Sequence, residues 1–75
     1  MKLHYYPETD SLYIDLADVP AVDSEEIRPG IVLDFAANGR LVGIDLDQAS
    51  QHVSLTTLDI EDLPAKISAR ATPAA

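Results

Sequence analysis

The chain of 75 residues contains no cysteine and 13 acidic against 5 basic residues, which gives a formal net charge of −8. A chain of this length forms one small domain that buries only about 60% of the surface its unfolded form exposes. Because such a domain is only marginally stable, we expect a homo-oligomer to add stability. The lack of cysteine excludes disulfides and thiolate metal sites. Residues 1–63 carry all 13 acidic residues and three of the five basic ones, and this excess of negative charge opposes binding to nucleic-acid phosphates and to anionic membranes.

The first predicted element is a β-hairpin over residues 1–16. Apolar and polar residues alternate on both sides of the loop Pro7 to Asp10, and a four-residue loop there places Tyr6 opposite Ser11. The other pairs in this register are Tyr5–Leu12, Leu3–Ile14 and Met1–Leu16 on an apolar face, and His4–Tyr13 and Lys2–Asp15 on the opposite face. Because one register produces both an apolar face and an opposite-charge pair, the alternation favours it over the shifted ones.

Residues 17–30 alternate only weakly. The stretch from Val22 to Arg28 is predicted to be an edge strand or an extended loop, followed by a turn at Pro29-Gly30.

A second hairpin is predicted over residues 31–46, with Asn38-Gly39 as a type I′ turn. The pairs in that register are Phe35–Val42, Leu33–Ile44 and Ile31–Leu46 on an apolar face, and Asp34–Gly43 and Val32–Asp45 on the other. A three-residue loop with a bulge is the alternative, and it places Phe35 opposite Leu41. Gly43 within a strand indicates a bulge or a close approach by another backbone.

The C-terminal part is predicted to add a short helix and a last strand. Asp47 is a candidate N-cap for a helix over residues 48–52. Residues 57–63 are predicted as a strand rather than a helix, because Pro64 would interrupt a helix that begins at Asp59. Residues 64–75 are predicted to be a disordered tail.

These elements predict a single compact β-rich domain over residues 1–63. Its class is α+β, mainly antiparallel β, with four to five strands built from two hairpins and one short helix. The predicted core residues are Leu3, Tyr5, Leu12, Ile14, Leu33, Phe35, Val42, Ile44 and Leu58.

The candidate polar face of the first hairpin holds His4, Tyr6 and Tyr13, and a histidine beside a tyrosine can do acid–base chemistry. A sheet of this size offers no deep, dry pocket, so no residue is assigned a catalytic role and no enzyme is expected. The aspartates Asp10, Asp15, Asp34 and Asp45 offer oxygen ligands, but no EF-hand or H-x-x-x-H spacing is present. We therefore expect no metal and no cofactor.

The negative charge favours a basic protein as partner. The exposed acids expected to contact it are Glu8, Asp15, Asp23, Glu25 and Glu26. No apolar run reaches the ~20 residues that cross a bilayer, and the N-terminal MKLHYYPE lacks the apolar region of a signal peptide. The sequence therefore predicts a soluble cytoplasmic protein that binds neither nucleic acid nor membrane.

Two stretches resemble a small bacterial family catalogued as domain of unknown function 2283. They are Tyr5-Tyr6-Pro7-Glu8-Thr9-Asp10-Ser11-Leu12-Tyr13-Ile14, and Leu33-Asp34-Phe35 continued by Gly39, Gly43-Ile44 and Ala49-Ser50. The resemblance covers about residues 3–63, with Tyr5-Tyr6-Pro7 where members commonly read Y-D-P. It implies a compact β-rich fold, and it suggests an antitoxin-like role because members often lie beside genes for small RNA-cleaving-toxin-like proteins.

Two functions remain open from the sequence. The first is a self-associating protein-binding module, with neutralisation of a basic partner as its concrete form. The alternative is a small ligand-binding or enzymatic domain that uses the His4/Tyr6/Tyr13 face.

Overall fold

The computed structural model describes residues 1–64, and its main element is one sheet of five strands. The strands are β1 (Lys2–Tyr6), β2 (Ser11–Asp15), β3 (Asp23–Arg28), β4 (Ile31–Phe35) and β5 (Leu41–Leu46), and a 3₁₀ turn follows at Ala49–Gln51. The strand order is β1-β2-β5-β4-β3, and all neighbours are antiparallel. The expectation of a mainly antiparallel sheet of four to five strands is confirmed. The α component of the predicted class is wrong for residues 1–64, where the only helical element is the 3₁₀ turn and no helix could cross a bilayer.

The register predicted for β1 and β2 is confirmed. All five observed pairs match, from Lys2 opposite Asp15 to Tyr6 opposite Ser11. Asp10 closes the loop in the left-handed region, with a φ of 54°, a conformation that Asp tolerates better than most residues because its short side chain bonds nearby backbone.

The loop between β4 and β5 follows the alternative prediction, so the type I′ turn is wrong. Phe35 pairs with Leu41, and the register shifts by one residue after Asp34. The Gly39 N–H donates to the Ala36 carbonyl at 2.9 Å, and Gly39 alone takes the positive φ, 84°. Asn38 instead accepts the Arg40 N–H on its side chain, which stabilises a type I turn followed by a glycine bulge.

The pairing of β2 with β5 joins the β1–β2 pair to the consecutive strands β3, β4 and β5 in one sheet, so the sheet is not built from two hairpins alone. Leu12 lies opposite Leu46 and Ile14 opposite Ile44, so the apolar sides of the two parts form one face. The predicted edge strand is also present, as β3, which pairs with β4 and carries a bulge between Glu26 and Arg28.

The predictions for the chain after β5 need correction. The Asp47 carboxylate accepts the Gln48 N–H at 3.0 Å, but Gln48, with φ 50°, is the residue that precedes the 3₁₀ turn. The Gln48 side chain makes no capping hydrogen bond, and the turn is held instead by packing of Ala49 on the sheet and by hydrogen bonds to Asp10. Residues 57–63 form neither strand nor helix, because no neighbouring strand edge pairs with them. Of the predicted tail over residues 64–75, all but Pro64 lies outside the described residues.

The core is smaller than predicted. Its buried members are Leu12, Ala36, Val42, Leu46 and Ala49. Of the nine predicted core residues, Leu12 and Val42 are buried, Ile14, Leu33, Phe35 and Ile44 are half-buried, and Leu3, Tyr5 and Leu58 are exposed. The reason is that the sheet is a single layer within residues 1–64, so most side chains of its face keep part of their contact with water. The buried residues lie at the 3₁₀ turn (Leu12, Leu46 and Ala49) or near the β4–β5 loop (Ala36 and Val42).

Candidate functional site

Residues that pair across neighbouring strands share one face of the sheet, so the registers divide the side chains into two faces. We call polar face the set Lys2, His4, Tyr6, Ser11, Tyr13, Asp15, Ser24, Glu26, Val32, Asp34, Gly43 and Asp45. We call apolar face the set Leu3, Tyr5, Leu12, Ile14, Ile31, Leu33, Phe35, Ile44 and Leu46. The titratable groups that sequence reasoning singled out as a reactive trio all lie on the polar face.

Tyr13 crosses the polar face from β2 to β4. Its ring passes over Gly43 of β5, where a Cβ would lie 2.7 Å from Tyr13 Cζ. The Tyr13 hydroxyl donates to Asp34 Oδ2 at 3.0 Å, and the Ser24 hydroxyl donates to Asp34 Oδ1 at 2.8 Å. Burial, the bond to Asp34 and nearby carboxylates raise the pKa of Tyr13. The predicted close approach at Gly43 therefore comes from a side chain, not from another backbone.

The centre of the polar face is acidic. Burial raises the pKa of Asp45, and the charges of Asp34 and Asp47 add to this effect. Asp45, Asp47 and Glu26 line an open depression of about 280 Å³, together with Ser11, Gly30 and Val32. Within residues 1–64 no three His, Cys, Asp or Glu side chains are placed to hold a metal ion.

His4, Tyr6 and Tyr13 share the polar face without forming an acid–base pair. His4 and Tyr6 stack with ring centroids 4.3 Å apart. Tyr13 lies opposite His4 in the register, but its hydroxyl points across the sheet to Asp34. His4 and Tyr6 thus form a stacked aromatic pair, and Tyr13 is held separately by its hydrogen bond to Asp34.

The five acids predicted as partner contacts do not form one surface. Asp15 and Glu26 lie on the polar face, and Glu8 lies in the loop between β1 and β2. Asp23 and Glu25 pair with apolar-face residues of β4, so they line the other side of β3.

The structure instead places Asp34 and Asp45 at the centre of the polar face. The predicted register already placed both on the face opposite the apolar one, in the pairs Asp34–Gly43 and Val32–Asp45. As functional groups, however, the sequence analysis considered them only as possible metal ligands.

A second cluster of hydrogen bonds, centred on Asp10, lies where the loop between β1 and β2 meets the 3₁₀ turn. The Asp10 carboxylate accepts the Tyr5 hydroxyl at 2.8 Å and the Ser50 hydroxyl at 2.6 Å, as well as the Ser50 N–H. The Asp10 carbonyl accepts the Ala49 N–H at 2.7 Å. These residues all belong to the two stretches that carry the family resemblance, and here they serve to fasten the 3₁₀ turn onto the first hairpin.

We expect the Asp10 cluster to make stability depend on pH in the acid range. The bonds from Ser50 and then Tyr5 hold the pKa of Asp10 below its ordinary 3.8. A carboxyl whose pKa is lower in the folded state stabilises the fold above its unfolded pKa, and this contribution is lost as pH falls through the folded pKa. Melting temperatures followed by circular dichroism should therefore show Asp10→Asn below the wild type at pH 7, with the gap closing as the pH falls below about 4.

The control for this experiment is the exposed Asp18, whose replacement Asp18→Asn should leave the melting temperature unchanged at each pH. A gap between Asp10→Asn and the wild type that is equally large at pH 7 and well below pH 3 would show that ionisation of Asp10 has no part in it.

A family model described as Protein of unknown function (DUF2283) matches residues 2–50. The match takes in all five strands and ends within the 3₁₀ turn, so it is shorter at its C-terminal end than the predicted resemblance. No curated protein and no solved structure matches the chain.

Proposed function

We propose that this chain, which belongs to the DUF2283 family of proteins of unknown function, is a protein-binding module whose polar face takes a basic protein surface. The observation that carries the proposal is the concentration of carboxylates on that face. Asp15, Glu26, Asp34 and Asp45 lie on four different strands, and Lys2 at the β1 edge is the basic side chain among them.

The shape of the polar face suits a protein partner better than a small ligand. Its depression is open to solvent and lined mostly by polar side chains, whereas small-molecule sites are concave and mostly apolar. A flat surface with several like charges matches the electrostatic complementarity seen across protein interfaces, where it speeds association and selects partners of opposite charge.

The central carboxylate is held in place before any partner arrives. Asp34 accepts hydrogen bonds from Tyr13 and Ser24 on its two oxygens, so it loses little conformational freedom on binding. Its neighbour Asp45 is partly desolvated and faces other negative charges, which raises its pKa. A lysine or arginine placed between the two would relieve that repulsion, so a cation is the complementary group.

Neutralisation of a small basic RNA-cleaving protein, as the family resemblance suggests, is the concrete form of this proposal. A surface that binds RNA carries Lys and Arg to pair with phosphates. Carboxylates spread over the polar face would stand in for those phosphates and cover the RNA-binding surface. This form predicts that co-expression relieves the toxicity of such a neighbouring gene product.

We expect removal of two polar-face charges to weaken association with a basic partner. In Glu26→Gln/Asp45→Asn both positions are exposed strand residues, so the sheet should remain intact. Stopped-flow mixing with a labelled oligoarginine peptide, as a probe for a basic surface, should show association slowed about tenfold at low salt. The difference should shrink near 0.1 M salt, where charges beyond ~10 Å are screened.

The matched control is Asp59→Asn/Glu61→Gln, which removes the same charge from exposed residues outside the sheet. It should keep nearly the wild-type rate. Equal slowing by both double variants would mean that only net charge matters, and the polar face would lose its assigned role.

A further inference from the structure

The apolar face lacks a second layer within residues 1–64. The 3₁₀ turn covers one end, where Ala49 packs on Leu12 and Leu46. At the edges, Leu3 and Tyr5 of β1 are 45% and 40% exposed, and the central residues are only half-buried. Sheets that are apolar on one side bury that side against another layer, so this face needs an occupant.

The distribution of charge indicates what the occupant is. The apolar face is formed by aliphatic and aromatic side chains. Within residues 1–64 its charged neighbours lie at its borders, at Asp23, Glu25 and Arg28 along β3 and at Asp10 beside Tyr5. Two chains with a formal charge of −8 can meet on this face with their polar faces turned outward. A charged partner would meet no group of opposite charge at the centre of the apolar face.

The segment after the 3₁₀ turn offers further apolar surface beside the face. Its exposed side chains are Val53 (37%), Leu55 (41%), Leu58 (69%), Ile60 (39%) and Leu63 (43%). The segment begins at the 3₁₀ turn, where the Val53 N–H donates to the Ala49 carbonyl at 2.9 Å. It therefore starts at the border of the apolar face.

The surface area available agrees with a dimer whose interface includes both the apolar face and residues 53–63. Five strands of about five residues give a face of about 24 by 17 Å, or about 400 Å² of flat area. A stable dimer buries about 800 Å² on each partner. The face alone is about half of this, and the exposed apolar side chains of residues 53–63 supply an area of the same order.

We infer that a second copy of this chain covers the apolar face, giving a two-fold β-sandwich in which residues 53–63 of each chain complete the interface. The sheets lie about 10 Å apart, and the two polar faces point outward. The interface is isologous, since each copy offers the same self-complementary surface. It is separate from the proposed acidic site, so one can fail without the other.

Light scattering on a sizing column tests the dimer. The wild type should have twice the monomer mass of 8.1 kDa. Leu3→Glu on the apolar face and Leu58→Glu in the segment should each shift the mass to that of the monomer, because each places a charge in the interface. The matched controls His4→Glu and Thr57→Glu add the same charge one residue away, at exposed positions, and should remain dimeric.

A wild type of 8.1 kDa at all concentrations would overturn the inference and would mean that this chain covers its own face. Dimers that persist in both Leu3→Glu and Leu58→Glu, or that dissociate equally in His4→Glu, would place the interface elsewhere. Circular dichroism separates dissociation from unfolding for Leu3→Glu. Leu58, being 69% exposed, can be changed without disturbing the sheet.

Discussion

Replacement of Leu46 by alanine should leave little folded protein. Leu46 is 7% exposed and lies in the small core with Leu12 and Ala49. It is paired on one side with Leu12 and on the other with Ile31, so its side chain links the two halves of the sheet. Truncation of a buried leucine costs about 2–5 kcal/mol, and a chain of this size has about 5 kcal/mol to lose.

Urea unfolding followed by far-ultraviolet circular dichroism measures this loss. Val22→Ala is the control, because Val22 is 66% exposed and exposed substitutions usually change stability by less than about 0.5 kcal/mol. A Leu46→Ala protein with the wild-type midpoint would show that the core is not where the structure places it. Since a dimer would make stability depend on concentration, all variants are compared at one concentration.

Replacement of Gly43 by valine should destabilise the fold through Tyr13. Valine normally suits a strand better than glycine does, but here its Cβ would overlap the Tyr13 ring and hydroxyl. Tyr13 would have to leave Asp34, and overpacking of this kind costs about 1–3 kcal/mol. The same change in a Tyr13→Ala background removes the obstacle, so Gly43→Val should then be neutral or stabilising.

A double-mutant cycle gives the decisive measurement, namely the change in free energy of unfolding for Gly43→Val with and without the Tyr13 ring. Strong non-additivity is expected for side chains in contact. If Gly43→Val costs the same in both backgrounds, Tyr13 does not lie over Gly43. In the single variant, loss of the burial and the Asp34 bond should also lower the pKa of Tyr13 towards its ordinary 10.0, which an ultraviolet titration detects.

The polar face shows which contacts of the candidate site could be predicted from the sequence and which could not. The pairing of His4 with Tyr13 and of Asp34 with Gly43 followed from local registers. That Tyr13 and Asp34 bond to each other did not, because they are 21 residues apart. Their contact requires β5 to lie between β2 and β4, with a glycine where the Tyr13 side chain crosses it.

The parts of the fold that depend on neighbours along the chain could be predicted from residue patterns. Alternation with a period of two assigns each strand residue to a face, and a short loop allows few registers. The β1–β2 pairs and the central β4–β5 pairs were therefore predictable. The turn at Asn38-Gly39 was not, because a side-chain hydrogen bond from the Arg40 N–H to Asn38 outweighed the statistical preference of the dipeptide.

Which distant segments meet could be seen only in the folded chain. The pairing of β2 with β5 and the bonds from Ser50 to Asp10, 40 residues apart, bring together groups whose local sequence carries no sign of the other. The small size of the core could not be predicted either, because a sequence pattern shows which side chains are apolar but not whether another layer covers them. Burial is a property of the assembled surface, so Leu3 and Leu58 were apolar enough for a core and yet are exposed in the single chain.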